Sequence, residues 1–320
     1  MSSLRAGKKP QSAGKTIQVL QAESLSGIPW LVHGFSTRHG GQSQAYGGGA
    51  LNLGITPEDR REAVTCNRRI FFQALGAVTP GGEVWPSVSM RQIHSSVIHR
   101  VENTHICQHQ ADVGRHQPND QPHHQPQKPL AGDGLITNVP GIVLSVRVAD
   151  CLPVLIADPA RRAVGAFHAG WRGTLGRMVE KGVGEFRRQF GSDPADLVAA
   201  IGPGIHRCCY QVSEDLREKF CSQFFYGEAL FENVFSSDPV RRQYPLLFMN
   251  MRAPGHGEPP HTVHLDLVEA NRRQLLDSGL REENIWISDL CTSCRTDLLF
   301  SHRKEKGVTG RMVGAIGIRN

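Results

Sequence analysis

The sequence predicts an α/β fold of the α+β type, in which layers of mixed β-sheet are flanked by helices. Three observations predict it. Aliphatic and β-branched runs of strand length recur between residues 135 and 201, separated by Pro–Gly and Asp–Pro turns. Apolar residues at helical spacing occur over residues 63–75 and 175–190. Strands and helices alternate irregularly and some strands follow one another as hairpins, which favours mixed sheets over a doubly wound parallel sheet.

In the N-terminal half, residues 17–37 are predicted to form short strands, and residues 39–49 a Gly-rich turn region. A helix is predicted to begin near Pro57–Glu58, because the apolar residues that follow repeat at helical spacing. Residues 102–130 then change character, with five histidines, six glutamines and four prolines but almost no aliphatic side chains. Such a segment cannot bury a core, so we predict a disordered insertion.

In the C-terminal half, four consecutive runs within residues 135–168 are predicted to be strands: LITN, IVLSVRVA, PVLIAD and AVGAFH. A helix with one apolar stripe is predicted over residues 175–190. Beyond it we predict a strand (LVAAIG), a helix (CCYQVSEDLREKF), a helix ending at Gly279 and a strand (NIWISD). The last two runs, LLFSHR and GRMVGAIGI, are predicted to form a terminal hairpin.

The charge distribution argues against a nucleic-acid or membrane partner. The net charge is +6 and the isoelectric point is near 9.0, but four of the basic residues lie within residues 1–16, which contain no acidic residue. We predict that residues 1–16 form a disordered basic tail and that residues 17–320 form a single catalytic domain carrying the insertion. Without the tail, the domain has a net charge close to zero, as is common in enzymes that act on small molecules. All apolar runs fall far short of the roughly 18 residues that a membrane helix needs.

The cysteine content and the N-terminal segment indicate the compartment. Eight cysteines in 320 residues are too few for a disulfide scaffold. The basic tail lacks the apolar segment of a secretory signal. We therefore expect a cytoplasmic, reducing environment, in which cysteine thiols can serve as metal ligands or nucleophiles. The sequence does not indicate an oligomeric state.

The spacing of Cys151 and His168 predicts a reactive centre. If PVLIAD and AVGAFH are antiparallel strands joined around residues 158–162, Cys151 and His168 reach the same open end of the hairpin, roughly 5 Å apart. A thiol and an imidazole so placed form a nucleophile pair, two ligands of a metal, or a buried structural contact. Asp150 would face the opposite side of a regular strand, which suggests a supporting role.

The segment that follows His168 has the features of an anion site. Gly170 and Gly173 permit close approach to the backbone, and the start of a helix presents free amide groups to an anion. Arg172 adds a forked donor that suits phosphate or carboxylate. Beside the Cys/His pair, this segment predicts that an anionic group binds next to the reactive centre.

Six ordered sequence blocks resemble one known family. They are FSTRHGG (35–41), RQIH (91–94), GDGLITNVPGIVLSVRVADCLPVLIAD (132–158), HAGWRG (168–173), IGPGIHRCCYQV (201–212) and CTSCRTDLLFSHR…TGR (291–311). Through them the chain resembles the YfiH family over about residues 20–318, apart from the insertion. This family, once labelled multicopper polyphenol oxidoreductase or laccase-domain, is now described as purine nucleoside phosphorylases. Two departures are His206–Arg207, where the family block reads closer to GPCCYEV, and SHR in place of SYR.

The resemblance implies a zinc site of two histidines and one cysteine, in an α/β fold that is also likened to cysteine hydrolases. The implied ligands are His94, Cys151 and His168, and Arg38 corresponds to an arginine that family members place in the active site. Three protein ligands of this kind leave zinc an open fourth position, as in catalytic sites. Copper could also occupy the site, since histidine and cysteine bind it strongly. The implied reactions are phosphorolysis of adenosine, inosine and methylthioadenosine, and deamination of adenosine.

Phosphorolysis needs a cationic site for phosphate near the ribose. We predict that Arg38, Arg172 and the helix start after Gly173 form this site, because guanidinium groups and helix N-termini both bind phosphate. Cys209 is predicted to line the same pocket. The expected partners are therefore a purine nucleoside and phosphate.

Two other functions remain open. Cys151 and His168 could act without metal as the nucleophile and base of a hydrolase, and some bacterial relatives in the YfiH family are linked to peptidoglycan precursor editing. A non-catalytic metabolite-binding protein is the third class, although the presence of His94, Cys151, His168 and Arg38 argues against it. Separately, Cys291 and Cys294 form a CxxC pair, which is half a zinc site or a redox pair, and the chain contains no second CxxC.

Overall fold

The fold consists of stacked β-sheets with helices on their outer faces, which confirms the predicted fold class. The computed structural model describes residues 16–102, 130–235 and 261–320, so most of the predicted tail and insertion lies outside the described residues. The assignment of residues 17–320 to one catalytic domain stays a prediction. Among the described residues, no helix combines the length and the apolar character needed to cross a membrane.

The strands are β1 (Val19–Leu20), β2 (Leu31–Ser36), β3 (His39–Ser43), β4 (Ser87–Val88), β5 (Ile98–Arg100), β6 (Gly134–Thr137), β7 (Val143–Val148), β8 (Leu152–Asp158), β9 (Ala163–Ala169), β10 (Val198–Ile201), β11 (Gln211–Val212), β12 (Phe231–Phe235), β13 (His261–Leu265), β14 (Ile285–Ile287) and β15 (Met312–Ile318). The helices are α1 (Glu23–Ser26), α2 (Arg61–Leu75), α3 (Trp171–Leu175), α4 (Met178–Phe190), α5 (Glu214–Gln223) and α6 (Leu267–Asp277). The four strands predicted within residues 135–168 are confirmed as β6 to β9.

Two large sheets form the centre of the molecule. The five-stranded sheet has the order β1-β2-β15-β7-β4, and the six-stranded sheet has the order β14-β10-β8-β9-β6-β5. Most neighbours are antiparallel, but β4 pairs with β7, β5 with β6, and β10 with β14 in parallel. A smaller three-stranded sheet has the order β11-β13-β12.

The core lies in three layers. Between the two large sheets, Leu144 and Ile316 pack with Leu155 and Ala166, all fully buried. Outside the five-stranded sheet, α2 buries its phenylalanines against β7 and β15. Outside the six-stranded sheet, α4 and α6 cover the face of β8 and β9 that points away from the five-stranded sheet. Because side chains alternate along a strand, β8 and β9 contribute to two of these layers and read as continuous apolar runs.

In the N-terminal half, α1 lies inside the segment predicted as strands (17–37), and β3 lies inside the predicted turn region (39–49). Three predicted elements of the C-terminal half also differ from the structure. The predicted terminal hairpin is wrong, since β15 pairs with β2 and β7, and the LLFSHR run forms turns. The helix predicted over residues 175–190 is broken at Arg177, whose φ of 60° lies in the left-handed region, so α3 and α4 are separate. The predicted CCYQVSEDLREKF helix is shorter than expected, because β11 takes up residues 211–212 and α5 begins at Glu214.

Candidate active site

The side chains of His94, Cys151 and His168 meet at the open end of the β8–β9 hairpin. One ligand atom from each of the three lies within 4.8 Å of the others. The sequence predicts that Cys151 and His168 pair directly. In the structure His168 lies opposite Pro153, so the register differs from this prediction by two residues. The side chains still meet because a shift of two residues keeps a strand side chain on the same face.

Gly170 provides the space for this cluster. A Cβ atom at position 170 would lie 2.7 Å from Cys151 Sγ, which is too close for a real contact. Position 170, between the end of β9 and the start of α3, therefore requires a glycine. His94 arrives from the loop between β4 and β5, with a left-handed φ of 57°.

Asp133 fixes both histidines. Its carboxylate accepts hydrogen bonds from the backbone amides of His94 (3.1 Å) and Ser95 (2.6 Å), and from Nδ1 of His168 (2.9 Å). These bonds hold the loop of His94 in its strained conformation and orient the ring of His168. Asp133 and His168 are both buried, so the pair is shielded from water.

The charges of the cluster are coupled. Burial would raise the pKa of the Cys151 thiol, but the neighbouring His168 and His94 rings outweigh it and lower that pKa. Burial would lower the pKa of His168, whereas Cys151 and Asp133 raise it above its ordinary value. Burial also opposes ionisation of Asp133, yet the hydrogen bonds from His168 and Ser95 lower its pKa to about 2. The protein alone therefore favours a thiolate beside an imidazolium.

The three side chains fit a metal ion. Two imidazoles and one thiolate are ligands that zinc and copper accept, and three protein ligands leave a position for water or substrate. Nδ1 of His168 faces Asp133, so Nε2 is the ring nitrogen left for a metal. Binding would require the imidazolium to lose its proton, which couples metal affinity to pH.

Asp150 supports the wall next to Cys151. Its carboxylate accepts hydrogen bonds from the hydroxyls of Thr292 (2.6 Å) and Ser301 (2.7 Å) and from the amide of Arg303 (2.6 Å). The residue has a φ of 88°, so the chain is not a regular strand at this point. These contacts agree with the supporting role predicted for Asp150.

The cluster opens into a cavity of about 590 Å³, a size typical of small-molecule sites. Two aromatic residues, Trp171 and Tyr210, line it together with Gln92. Five arginines line it as well: Arg91, Arg147, Arg172, Arg303 and Arg311. The cavity wall therefore combines flat apolar surfaces with a large excess of positive charge.

Among the described residues that line the cavity, five carry a guanidinium group and one, Asp150, carries a carboxylate, so positive charge is in excess. Across residues 16–102, 130–235 and 261–320, the five cavity arginines form no ion pair with a carboxylate. Burial and the charge of Arg311 both lower the pKa of Arg147, which reflects two guanidinium groups held close together. Arg172 lies over the ring of Trp171, 4.3 Å from the ring centroid. Such a cavity is suited to an anionic ligand.

Arg38 and Cys209, both predicted to lie at the phosphate-binding pocket, are not among the residues that line this cavity. Arg38 forms an ion pair with Glu305 (3.2 Å) and lies 4.7 Å from the centroid of the Phe300 ring, away from the cavity. Its guanidinium therefore has a partner already. Cys209 lies 3.4 Å from Cys294 Sγ in a separate cluster of thiols. Arg172, in contrast, lines the cavity as expected.

Sequence reasoning missed four cavity arginines and Asp133. Each lies inside a block that carries the family resemblance: Arg91 in RQIH, Arg147 in SVRVADC, Arg303 in SHR and Arg311 in TGR. The presence of an arginine in several separate blocks was the available signal. Asp133, in GDG, stands between two glycines just before a strand, where a buried carboxylate can accept backbone amides.

Comparison with known proteins gives the family. The family described as multi-copper polyphenol oxidoreductase laccase matches residues 32–319, and the chain belongs to it. The purine nucleoside phosphorylase YlmD of Geobacillus stearothermophilus is 33% identical over 288 residues, covering 90% of each chain. The crystal structure of YlmD from that organism matches with a TM-score of 0.72 at 30% identity, covering 98% of each chain.

Two further relatives bear on the fold and the chemistry. The crystal structure of the Bacillus licheniformis hypothetical protein YfiH matches with a TM-score of 0.71 at 30% identity, covering 90% of this chain and 93% of that one. The resemblance to YfiH is thereby confirmed. Adenosine deaminase RL5, from an unknown prokaryotic organism, is 33% identical over 172 residues, covering 54% of this chain and 56% of that protein.

Replacing Asp133 by asparagine is expected to weaken metal binding at least about tenfold, because His168 loses the carboxylate that orients it. The affinity is measured by competition with a chromophoric chelator. Asp158→Asn is the matched control, since Asp158 is also buried and accepts backbone amides, but in the turn between β8 and β9. The same loss of affinity in both variants would show that Asp133 has no specific role.

Proposed function

We propose that this protein is a zinc-dependent purine nucleoside phosphorylase that accepts adenosine, inosine and methylthioadenosine, with adenosine deamination as a second activity. The single observation that carries the proposal is a set of five arginines around the His94–Cys151–His168 cluster, none of which forms an ion pair with a carboxylate of the described residues. Supporting it, YlmD of Geobacillus stearothermophilus is named a purine nucleoside phosphorylase and RL5 an adenosine deaminase.

The arginines can bind the phosphate that phosphorolysis consumes. Phosphorolysis joins a phosphate oxygen to C1′ of the ribose while the bond from C1′ to the purine nitrogen breaks. The purine leaves with its bonding electrons and takes up a proton, and ribose 1-phosphate remains. Guanidinium groups bind the phosphate oxygens and hold the nucleophile against the sugar. Trp171 and Tyr210 offer aromatic surfaces on which the purine can stack.

His94, Cys151 and His168 would hold the zinc, and Asp133 would keep His168 oriented through Nδ1. A zinc ion with an open position lowers the pKa of bound water and stabilises developing negative charge. In deamination, water adds to C6 of the adenine ring and ammonia leaves. Because this reaction uses water instead of phosphate, it depends much less on the arginines.

The reaction is tested with inosine. We expect release of hypoxanthine by the purified protein to rise with phosphate concentration and then saturate, because phosphate is a substrate. The base is quantified by chromatography, and ribose 1-phosphate by ³¹P nuclear magnetic resonance. Release of hypoxanthine at the same rate without phosphate would contradict phosphorolysis.

One observation favours a second candidate, a metal-free hydrolase. Cys151, His168 and Asp133 lie in the order nucleophile, base and orienting carboxylate, and the thiol has a lowered pKa. In such an enzyme the sulfur would bond to the carbonyl carbon of the substrate while the carbon–nitrogen bond breaks and the amine leaves with a proton from His168. Water would then cleave the thioester and release the acid, so the enzyme would need no metal. Its activity would resist chelators and be destroyed by alkylation of Cys151. A peptidoglycan fragment would be the substrate class to test.

A further inference from the structure

We propose that Cys208, Cys209, Cys291 and Cys294 bind a second zinc ion in a closed, structural tetrathiolate site. This cluster is separate from the candidate active site and does not depend on the proposed function. The four sulfur atoms lie within 4.8 Å of one another. The CxxC pair, Cys291 and Cys294, therefore lies next to a second pair of thiols, Cys208 and Cys209, which are adjacent in sequence and do not form a CxxC motif.

The distances among the sulfurs of Cys208, Cys209 and Cys294 are close to those of tetrahedral coordination. Cys208 Sγ lies 3.8 Å from Cys209 Sγ and 3.6 Å from Cys294 Sγ, and Cys209 Sγ lies 3.4 Å from Cys294 Sγ. A zinc–sulfur bond of about 2.3 Å in a regular tetrahedron places the sulfurs about 3.8 Å apart. A disulfide would need a sulfur–sulfur distance of about 2.0 Å. The seven cysteines in the described residues are all free thiols.

The fold brings the two pairs together at one edge of the six-stranded sheet. Strands β10 and β14 are parallel neighbours, so the segments that follow them leave the sheet at the same edge. Gly204 and Cys291 form a β-bridge, and the amide of Thr292 donates to the carbonyl of Gly204 (2.9 Å). One segment then presents Cys208 and Cys209, and the other presents Cys291 and Cys294.

The surroundings of Cys291 suit a thiolate bound to a metal. The amide of His206 donates to Cys291 Sγ (3.5 Å), and the amides of Ser293 and Cys294 also donate to that sulfur. Hydrogen bonds from backbone amides to a coordinating atom are common around metal ligands. Cys291 is buried, whereas Cys208 and Cys294 are exposed, so an ion can enter from solvent. Four soft thiolates in a tetrahedron select zinc among the common divalent ions.

The site would fasten together two segments of the cavity wall. The first continues from the Gly204 bridge to Ile205 and Tyr210, and the second continues to His302 and Arg303, all of which line the cavity. Thr292, inside the CxxC pair, donates to Asp150 beside Cys151. Binding of zinc would therefore stabilise the fold and the shape of the cavity without entering the chemistry.

The test is the metal content of purified protein, measured by plasma mass spectrometry. We expect about two zinc ions per chain in the wild type, and about one in Cys294→Ser and in Cys151→Ala, which each destroy one site. Cys221→Ser is the matched control, because Cys221 is also exposed but lies outside both clusters, and it should retain both ions. The melting temperature should fall more in Cys294→Ser than in Cys221→Ser.

A second measurement covers the case in which Cys294→Ser does not fold. In Cys151→Ala loaded with cobalt(II), the remaining site should show the strong thiolate-to-cobalt charge-transfer absorption of four sulfur ligands. A Cys151→Ala protein without metal, or with a spectrum of one or two thiolates, would overturn the proposal. Disulfides among these four cysteines in freshly purified protein, found by peptide mapping, would overturn it too.

Discussion

Replacing Cys151 by alanine is expected to remove one metal equivalent and to lower phosphorolysis of inosine by about 10²–10³-fold. The thiolate is one of three candidate ligands at the open end of the β8–β9 hairpin, and the two imidazoles alone would leave zinc with only two protein ligands. The alanine side chain is smaller than that of cysteine, so it fits into the space beside Gly170 without a movement of the backbone. Metal analysis and steady-state kinetics are made on the same preparation.

Cys221→Ala is the control for this variant. Cys221 is an exposed cysteine on α5, outside both groups of candidate metal ligands, so its loss should change neither metal content nor rate. If Cys151→Ala keeps its full metal content, Cys151 is not a ligand. If it loses metal but retains wild-type phosphorolysis, the metal is not needed for the reaction.

Replacing Arg172 by alanine should lower phosphorolysis of inosine more than deamination of adenosine. Only phosphorolysis uses phosphate, and Arg172 lines the cavity without a carboxylate partner among the described residues. Loss of one hydrogen bond to a charged group costs about 1.5–3 kcal/mol, or about one to two orders of magnitude in rate. The Michaelis constant for phosphate should rise with it. Both activities are measured with one protein preparation.

The alternative is that Arg172 only braces the segment at the start of α3, through its contact with Trp171. Both reactions should then decrease together, along with the melting temperature. Arg187→Ala is the control, because Arg187 is an exposed arginine on α4, outside the cavity wall. Equal losses in Arg172→Ala and Arg187→Ala would contradict a phosphate-binding role.

Local patterns were sufficient to predict β6 to β9 and the meeting of Cys151 with His168. A hairpin is short in sequence, and its strands have fixed rise and alternation, so the spacing of two residues determines whether their side chains meet. The register was two residues off, but the period of two kept both side chains on one face. The partners of β15 could not be predicted from local patterns, because β15 pairs with β2, a strand far away in sequence, and places Gly314 opposite Phe35.

The cavity could be predicted only in part, because its wall comes from segments distant in sequence. Arg91 lies between β4 and β5, whereas Arg303 and Arg311 both lie between β14 and β15. Nothing in their local sequence places these arginines around Cys151. Arg38 was chosen because its motif resembles the family, but its ion pair with Glu305 depends on tertiary packing. The same limitation hid the second group of thiols, since Cys208 and Cys291 meet only through the pairing of β10 with β14.

The most direct test of the central claim measures phosphorolysis of inosine before metal removal, after it and after the return of zinc. We predict that a chelator abolishes formation of hypoxanthine and ribose 1-phosphate, and that zinc restores it in the presence of phosphate. Circular dichroism is recorded on the metal-depleted protein, and only protein that is still folded is used for the comparison. Full activity in folded protein that contains no metal would contradict the account and favour Cys151 as a nucleophile.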